Sequence, residues 1–143
     1  MTRWFLIGSA AVTAALYAVP FGRFVVYPLL LLSTLVHEMG HGLAALVVGG
    51  DFESFYLWAD GSGMAHIGGR SGRISGAVIS AGGLVGPAVV AAICFTAARK
   101  ESSSRMFFGI CGLALIAAEF LFVRNLFGWI FVGSAAGLFL FLA

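Results

Sequence analysis

The sequence predicts an all-α membrane protein of about five transmembrane helices with a short β-hairpin after the second. Three observations lead there. Of the 143 residues, 61% are hydrophobic and only 10% charged, where soluble domains carry about 25% charged residues. The mean hydropathy is +1.05. The apolar residues gather into five runs separated by short polar or glycine-rich connections, and between the second and third run the pattern changes from helical to strand-like. One domain, residues 1–143, is the most this length organises. A net charge of +2 gives no electrostatic footprint for nucleic acid, so the expected surroundings are the lipid bilayer.

The first run, residues 4–19, follows Arg3 and ends at Pro20-Phe21-Gly22-Arg23, a helix stop and tight connection. No small-x-small cleavage site precedes Pro20, so it reads as a membrane helix anchored by Trp4 rather than a secretory signal. The second run, 24–48, would be about 37 Å long as a helix against a hydrocarbon core of about 30 Å. It accommodates by tilting or by a kink at Pro28, and Gly49-Gly50 ends it. Residues 52–68 form the hairpin: aromatics from Phe52 to Trp58, a turn at Asp60-Gly61-Ser62-Gly63, and a return through Met64 to Ile67. The third run, 74–98, has Gly82 and Gly86 in small-xxx-small spacing for close helix packing, with Pro87 beside them. A polar connection, 99–105, leads to the fourth run, 106–123, which holds Glu119, with Arg124 just beyond it either as its ion-pair partner or snorkelling outward. The fifth, 126–143, repeats the glycine spacing at Gly133 and Gly137. Cys94 and Cys111 read as small hydrophobes. Alternating the five segments puts Arg3, Arg70, Arg73 and Arg124 on one side and Arg23, Arg99, Lys100 and Arg105 on the other, so the positive-inside rule assigns no orientation.

Within the second run stands His37-Glu38-Met39-Gly40-His41. Ionisable groups at bilayer depth cost about 2.5–3.5 kcal/mol each on insertion scales, so three together call for a function. On a helix the two histidines fall one turn apart on one face. Imidazole is a preferred zinc ligand, and a neighbouring carboxylate that does not ligate takes a proton from an activated water. The expected site is therefore Zn²⁺ on His37 and His41 with Glu38 as the catalytic base. The plainer reading is a polar cluster hydrogen-bonded across a helix bundle. A transporter relaying ions through these groups ranks lower, because outside the second helix only Glu119 contributes. Water must reach a hydrolytic site, so a polar cavity among the helices is also expected.

The sequence resembles the site-2 protease family of intramembrane zinc metalloproteases, in particular its small bacterial multipass branch. The resemblance rests on His37-Glu38-Met39-Gly40-His41, on Gly49-Gly50 and the Asp60-Gly61-Ser62-Gly63 turn, on Ala81-Gly82-Gly83-Leu84-Val85-Gly86-Pro87, and on Arg124-Asn125-Leu126-Phe127-Gly128. It implies zinc on His37 and His41, Glu38 as activator of water, a membrane-protein or peptide substrate, and a multipass protein of the bacterial cell membrane. It also implies a third ligand, an aspartate from a later segment. This sequence has no aspartate after Asp60. Three readings follow: the chain continues beyond Ala143, which ranks first; Glu119, Asp60 or His66 substitutes; or the protein is noncatalytic and keeps the metal site for regulation or assembly. A hairpin directly after the metal motif further offers an edge that an extended substrate can join.

Overall fold

A long central helix, α2 (Gly22–Val47), organises the computed structural model, which describes residues 2–19, 21–69 and 72–143. Pro20 and Arg70 of the sequence reading lie outside the described residues. Helix α1 (Thr2–Ala18) precedes α2, and a hairpin of β1 (Gly50–Leu57) and β2 (Gly63–Gly69) follows it. Then come α3 (Arg73–Ala97), α4 (Glu101–Phe122) and α5 (Leu126–Leu142). Phe24–Val47, Arg73–Ala97 and Glu101–Phe122 are long and apolar enough to cross a membrane. Helices α1 and α5 have 17 residues each, at the short end of the usual range of about 17–25. This is an all-α membrane protein carrying one small antiparallel sheet. Most of the polar connection read at 99–105 is helical: α4 starts at Glu101, whose carboxylate sits in the first turn, where the helix dipole favours negative charge.

Helix α2 packs against α3 through glycines. A methyl group at Gly40 would run into the backbone carbonyl of Gly82, and one at Gly82 would meet the carbonyl of Gly40 and the side chain of Ala44. The two backbones therefore touch, as small residues allow in membrane helix pairs. Helices α4 and α5 form a second antiparallel pair, and α3 touches α4 only sparsely.

The hairpin joins the two pairs. It leaves α2 through Gly49, whose φ of +78° is a left-handed helix end, and runs back along α2, with Gly50 beside Ala45 and the tip residue Gly61 against Leu30. That stretch of helix is about 22 Å long, so the hairpin lies at the depth of the span and not outside it. Pairing runs from Gly50↔Gly69 to Leu57↔Gly63, with a bulge between Phe52 and Ser54. The bulge matters to the core. Side chains alternate faces along a strand, so Phe52 and Phe55 would point oppositely without the extra residue; with it both are buried, at 7% and 0% exposure. They form the core with Leu31 and Leu35 of α2, Leu57, Val123 and Val132. Phe52 also stacks on Phe122 of α4 at 4.1 Å between ring centroids.

Candidate metal centre

Two histidines at i and i+4 of α2 aim at one another. The Nε2 atoms of His37 and His41 are 3.1 Å apart, with the rings edge to face. His41 donates its Nδ1–H to the carbonyl of Ile79 on α3, at 2.7 Å. A carbonyl can only accept, so that contact fixes the tautomer and leaves the neutral ring with its lone pair on Nε2. Gly83 makes room for this ring, since a methyl group there would overlap the imidazole. Two nitrogens each about 2.0–2.1 Å from a tetrahedral zinc are about 3.4 Å apart. The observed separation and the carbonyl behind His41 fit such an ion, and outer partners of this kind orient histidine ligands in metal sites.

Glu38 lies on the neighbouring face and turns to the hairpin. Its Oε2 accepts the backbone N–H of Ala65 on β2 at 2.9 Å. Above it, Thr34 donates to the carbonyl of Gly61 at 2.8 Å, and the Tyr27 hydroxyl donates to the carbonyl of Ala59 at 2.6 Å. Positions 27, 34 and 38 share one face of α2. A stripe of polar side chains thus holds the hairpin's tip and outer strand. Sequence reasoning missed Tyr27 and Thr34, although their helical spacing from Glu38 was the available signal.

The hairpin's other edge is closed by the α4–α5 connection. The N–H of Arg124 donates to the carbonyl of Phe55 at 3.0 Å. The Asn125 amide works as a surrogate peptide, donating to the Leu57 carbonyl at 2.6 Å and accepting the Leu57 N–H at 3.2 Å. Backbone groups at membrane depth have no water to bond, so an edge there must be covered by protein. Asn125 stood in the sequence only as part of a glycine-containing motif, and this role was missed.

The alternative third ligands sit elsewhere. Asp60 closes the hairpin turn, its Oδ1 accepting the hydroxyl of Ser62 at 2.6 Å and its N–H at 2.9 Å. These two bonds, the hydroxyl first, hold the carboxyl below the usual carboxylate range. His66 is exposed on β2 with its ring against Tyr56. Glu119 is buried at 7% exposure and fills the space left by Gly133, where a methyl group would come 2.9 Å from its Oε1. An ion pair with Arg124 is not formed: the guanidinium instead donates to the carbonyls of Phe120, Leu121 and Val123 at the end of α4, the last of which also accepts the Trp129 indole N–H at 3.1 Å. Among the described residues, no group of three His, Cys, Asp or Glu side chains is placed to hold a metal. The cavity beside α2 is apolar and not the polar one expected.

The Peptidase M50B-like family model matches residues 7–143. The chain belongs to this family. Its membership bears out the resemblance to site-2 proteases that the motifs carry, and with the helices described above it makes this a membrane protein of metalloprotease-like function. The M50 proteins are generally zinc-dependent. No curated protein and no solved structure matches the chain.

Proposed function

We propose that this member of the family is an intramembrane zinc metalloprotease that hydrolyses peptide bonds of membrane-associated proteins, with His37 and His41 as metal ligands and Glu38 as the general base. The observation that carries the reading is the pair of Nε2 atoms 3.1 Å apart, one helical position from a carboxylate that takes an outward N–H of a β-strand. Zinc, when bound, supplies Lewis-acid polarisation of a carbonyl and makes a water more acidic.

The chain's own residues supply the rest. Of the hairpin's two edges, that of β1 is occupied by Arg124 and Asn125, which leaves β2 for an extended substrate. A transmembrane substrate hides its carbonyls in helical hydrogen bonds and must unwind to be cut; strand addition to β2 gives the unwound backbone new partners. The outward N–H of Ala65 is one such partner. A substrate carbonyl that takes it releases the Glu38 carboxylate, which then accepts a proton from water. The water oxygen bonds to the carbonyl carbon, the C–N bond breaks, and Glu38 returns the proton to the leaving amine.

Glu38→Gln tests this. Cleavage of a membrane-embedded peptide should fall by about 10²–10⁴, while zinc measured by elemental analysis stays at the wild-type level. Equal cleavage by the variant would end the catalytic reading. The second reading, a noncatalytic protein that keeps the metal site for regulation or assembly, is favoured by the absence of a third convergent ligand among the described residues. It expects zinc in both proteins and cleavage in neither.

A further inference from the structure

Between α2, α3 and α4 lies an apolar cavity of about 690 Å³, lined by Met39 and Gly40 of α2, Val89 of α3 and Phe108, Cys111 and Ala114 of α4. It exists because α3 and α4 touch only sparsely. It is an open groove, with Leu43, Val85 and Val89 of its wall exposed, and that wall offers water almost no hydrogen-bonding partner. Its volume is that of a small-ligand site, about 300–1,000 Å³. A flexible hydrocarbon tail fits a groove of this size.

One end of the cavity carries a charge. Ala97, Ala98 and Ser104 line that end, and between them run Arg99 and Lys100, both exposed. Glu101 offsets one of these charges, and Arg105 adds another while its Nε donates to the carbonyl of Ala143 at 2.7 Å. An apolar slot that opens onto a basic helix connection presents both halves of a phospholipid site, tail and anionic head.

We infer that this cavity binds an anionic phospholipid, one acyl chain lying between α3 and α4 against Met39 and Gly40, and the phosphate at Arg99 and Lys100. The inference is independent of peptide hydrolysis. It places a lipid tail against the helix that carries His41 and Glu38, next to Met39, which also packs against the core that the hairpin shares.

The test is native mass spectrometry of the full chain in mild detergent, titrated with palmitoyl-oleoyl phosphatidylglycerol or phosphatidylcholine. Phosphatidylglycerol should bind roughly tenfold more tightly, because its phosphate charge, unlike that of phosphatidylcholine, is not offset by a headgroup cation. R99S/K100S should reduce that preference to within about twofold, and A114F, which fills the slot, should lower uptake of both lipids. Soluble glycerophosphate, lacking a tail, should not compete. Equal affinity for the two lipids in the wild type, an undiminished preference in R99S/K100S, or competition by glycerophosphate would each overturn the assignment. So would a second copy of the chain occupying the slot, seen as a dimer that A114F dissociates. R99S/K100S alters only an exposed connection, so it keeps the test decisive if A114F fails to fold.

Discussion

A histidine that donates one ring nitrogen to a backbone carbonyl has only the other left to offer, and this is the position of His41 behind Ile79. Its orientation depends on Gly83, because any Cβ there collides with the ring. Gly83→Ala should therefore weaken zinc binding by about 10–100-fold, the usual effect of disturbing a ligand's outer support, with α3 still helical by circular dichroism. Zinc affinity within twofold of wild type would show that the ring is not held this way. The buried Glu119 gives the opposite expectation. It fills a glycine gap between α4 and α5, and the described residues bring no ligand partner to it; Glu119→Gln should leave zinc stoichiometry unchanged, and loss of the metal would make it the third ligand. The difference between these residues explains what could be read from the chain. His37, Glu38 and His41 are neighbours on one helix, so period alone relates them. An ion-pair partner for Arg124 was sought at Glu119, five residues away, but a guanidinium at a helix end has three carbonyls closer at hand, and they satisfy it without burying a second charge.

The hairpin shows the same contrast at greater length. Alternating aromatics and the Asp60-Gly61-Ser62-Gly63 turn made its existence legible, because turn chemistry is local. The bulge at Glu53 was not legible, since it is fixed by the demand that Phe52 and Phe55 reach one core. Nor was the closure of β1 by Asn125, which joins positions 68 apart in sequence. That closure has a measurable cost. Asn125→Ala removes both bonds to Leu57 and leaves an N–H and a carbonyl without partners at membrane depth, each costing about 1–3 kcal/mol. The variant should lose about 2–6 kcal/mol in unfolding titrations; a loss below about 1 kcal/mol would mean the edge is satisfied some other way. On the opposite edge, Ala65→Pro removes the N–H that Glu38 accepts without touching β1. Cleavage should fall through strand docking, while zinc stays bound; full cleavage by this variant would remove β2 from the proposed substrate path.

Two helix pairs, α2 with α3 and α4 with α5, are tied together by one strand pair, and the candidate metal site bridges the first pair: both imidazoles come from α2, and the support of one comes from α3. Zinc bound there would hold α2 and its hydrogen-bonded neighbour in one arrangement. A ligand that binds the folded protein and not the unfolded chain stabilises it by RT ln(1 + [L]/Kd), about 2.7 kcal/mol at a hundredfold excess over Kd. Stripping the metal with a chelator should therefore lower the unfolding temperature in detergent, and restoring zinc should raise it again. The His37→Ala protein should show neither change, because one imidazole cannot replace two. If chelation instead destabilised wild type and His37→Ala equally, the metal responsible would lie elsewhere in the fold. Wild type indifferent to chelator and to added zinc alike would leave His37 and His41 as a hydrogen-bonded pair between packed helices, the plainer arrangement their spacing also allows.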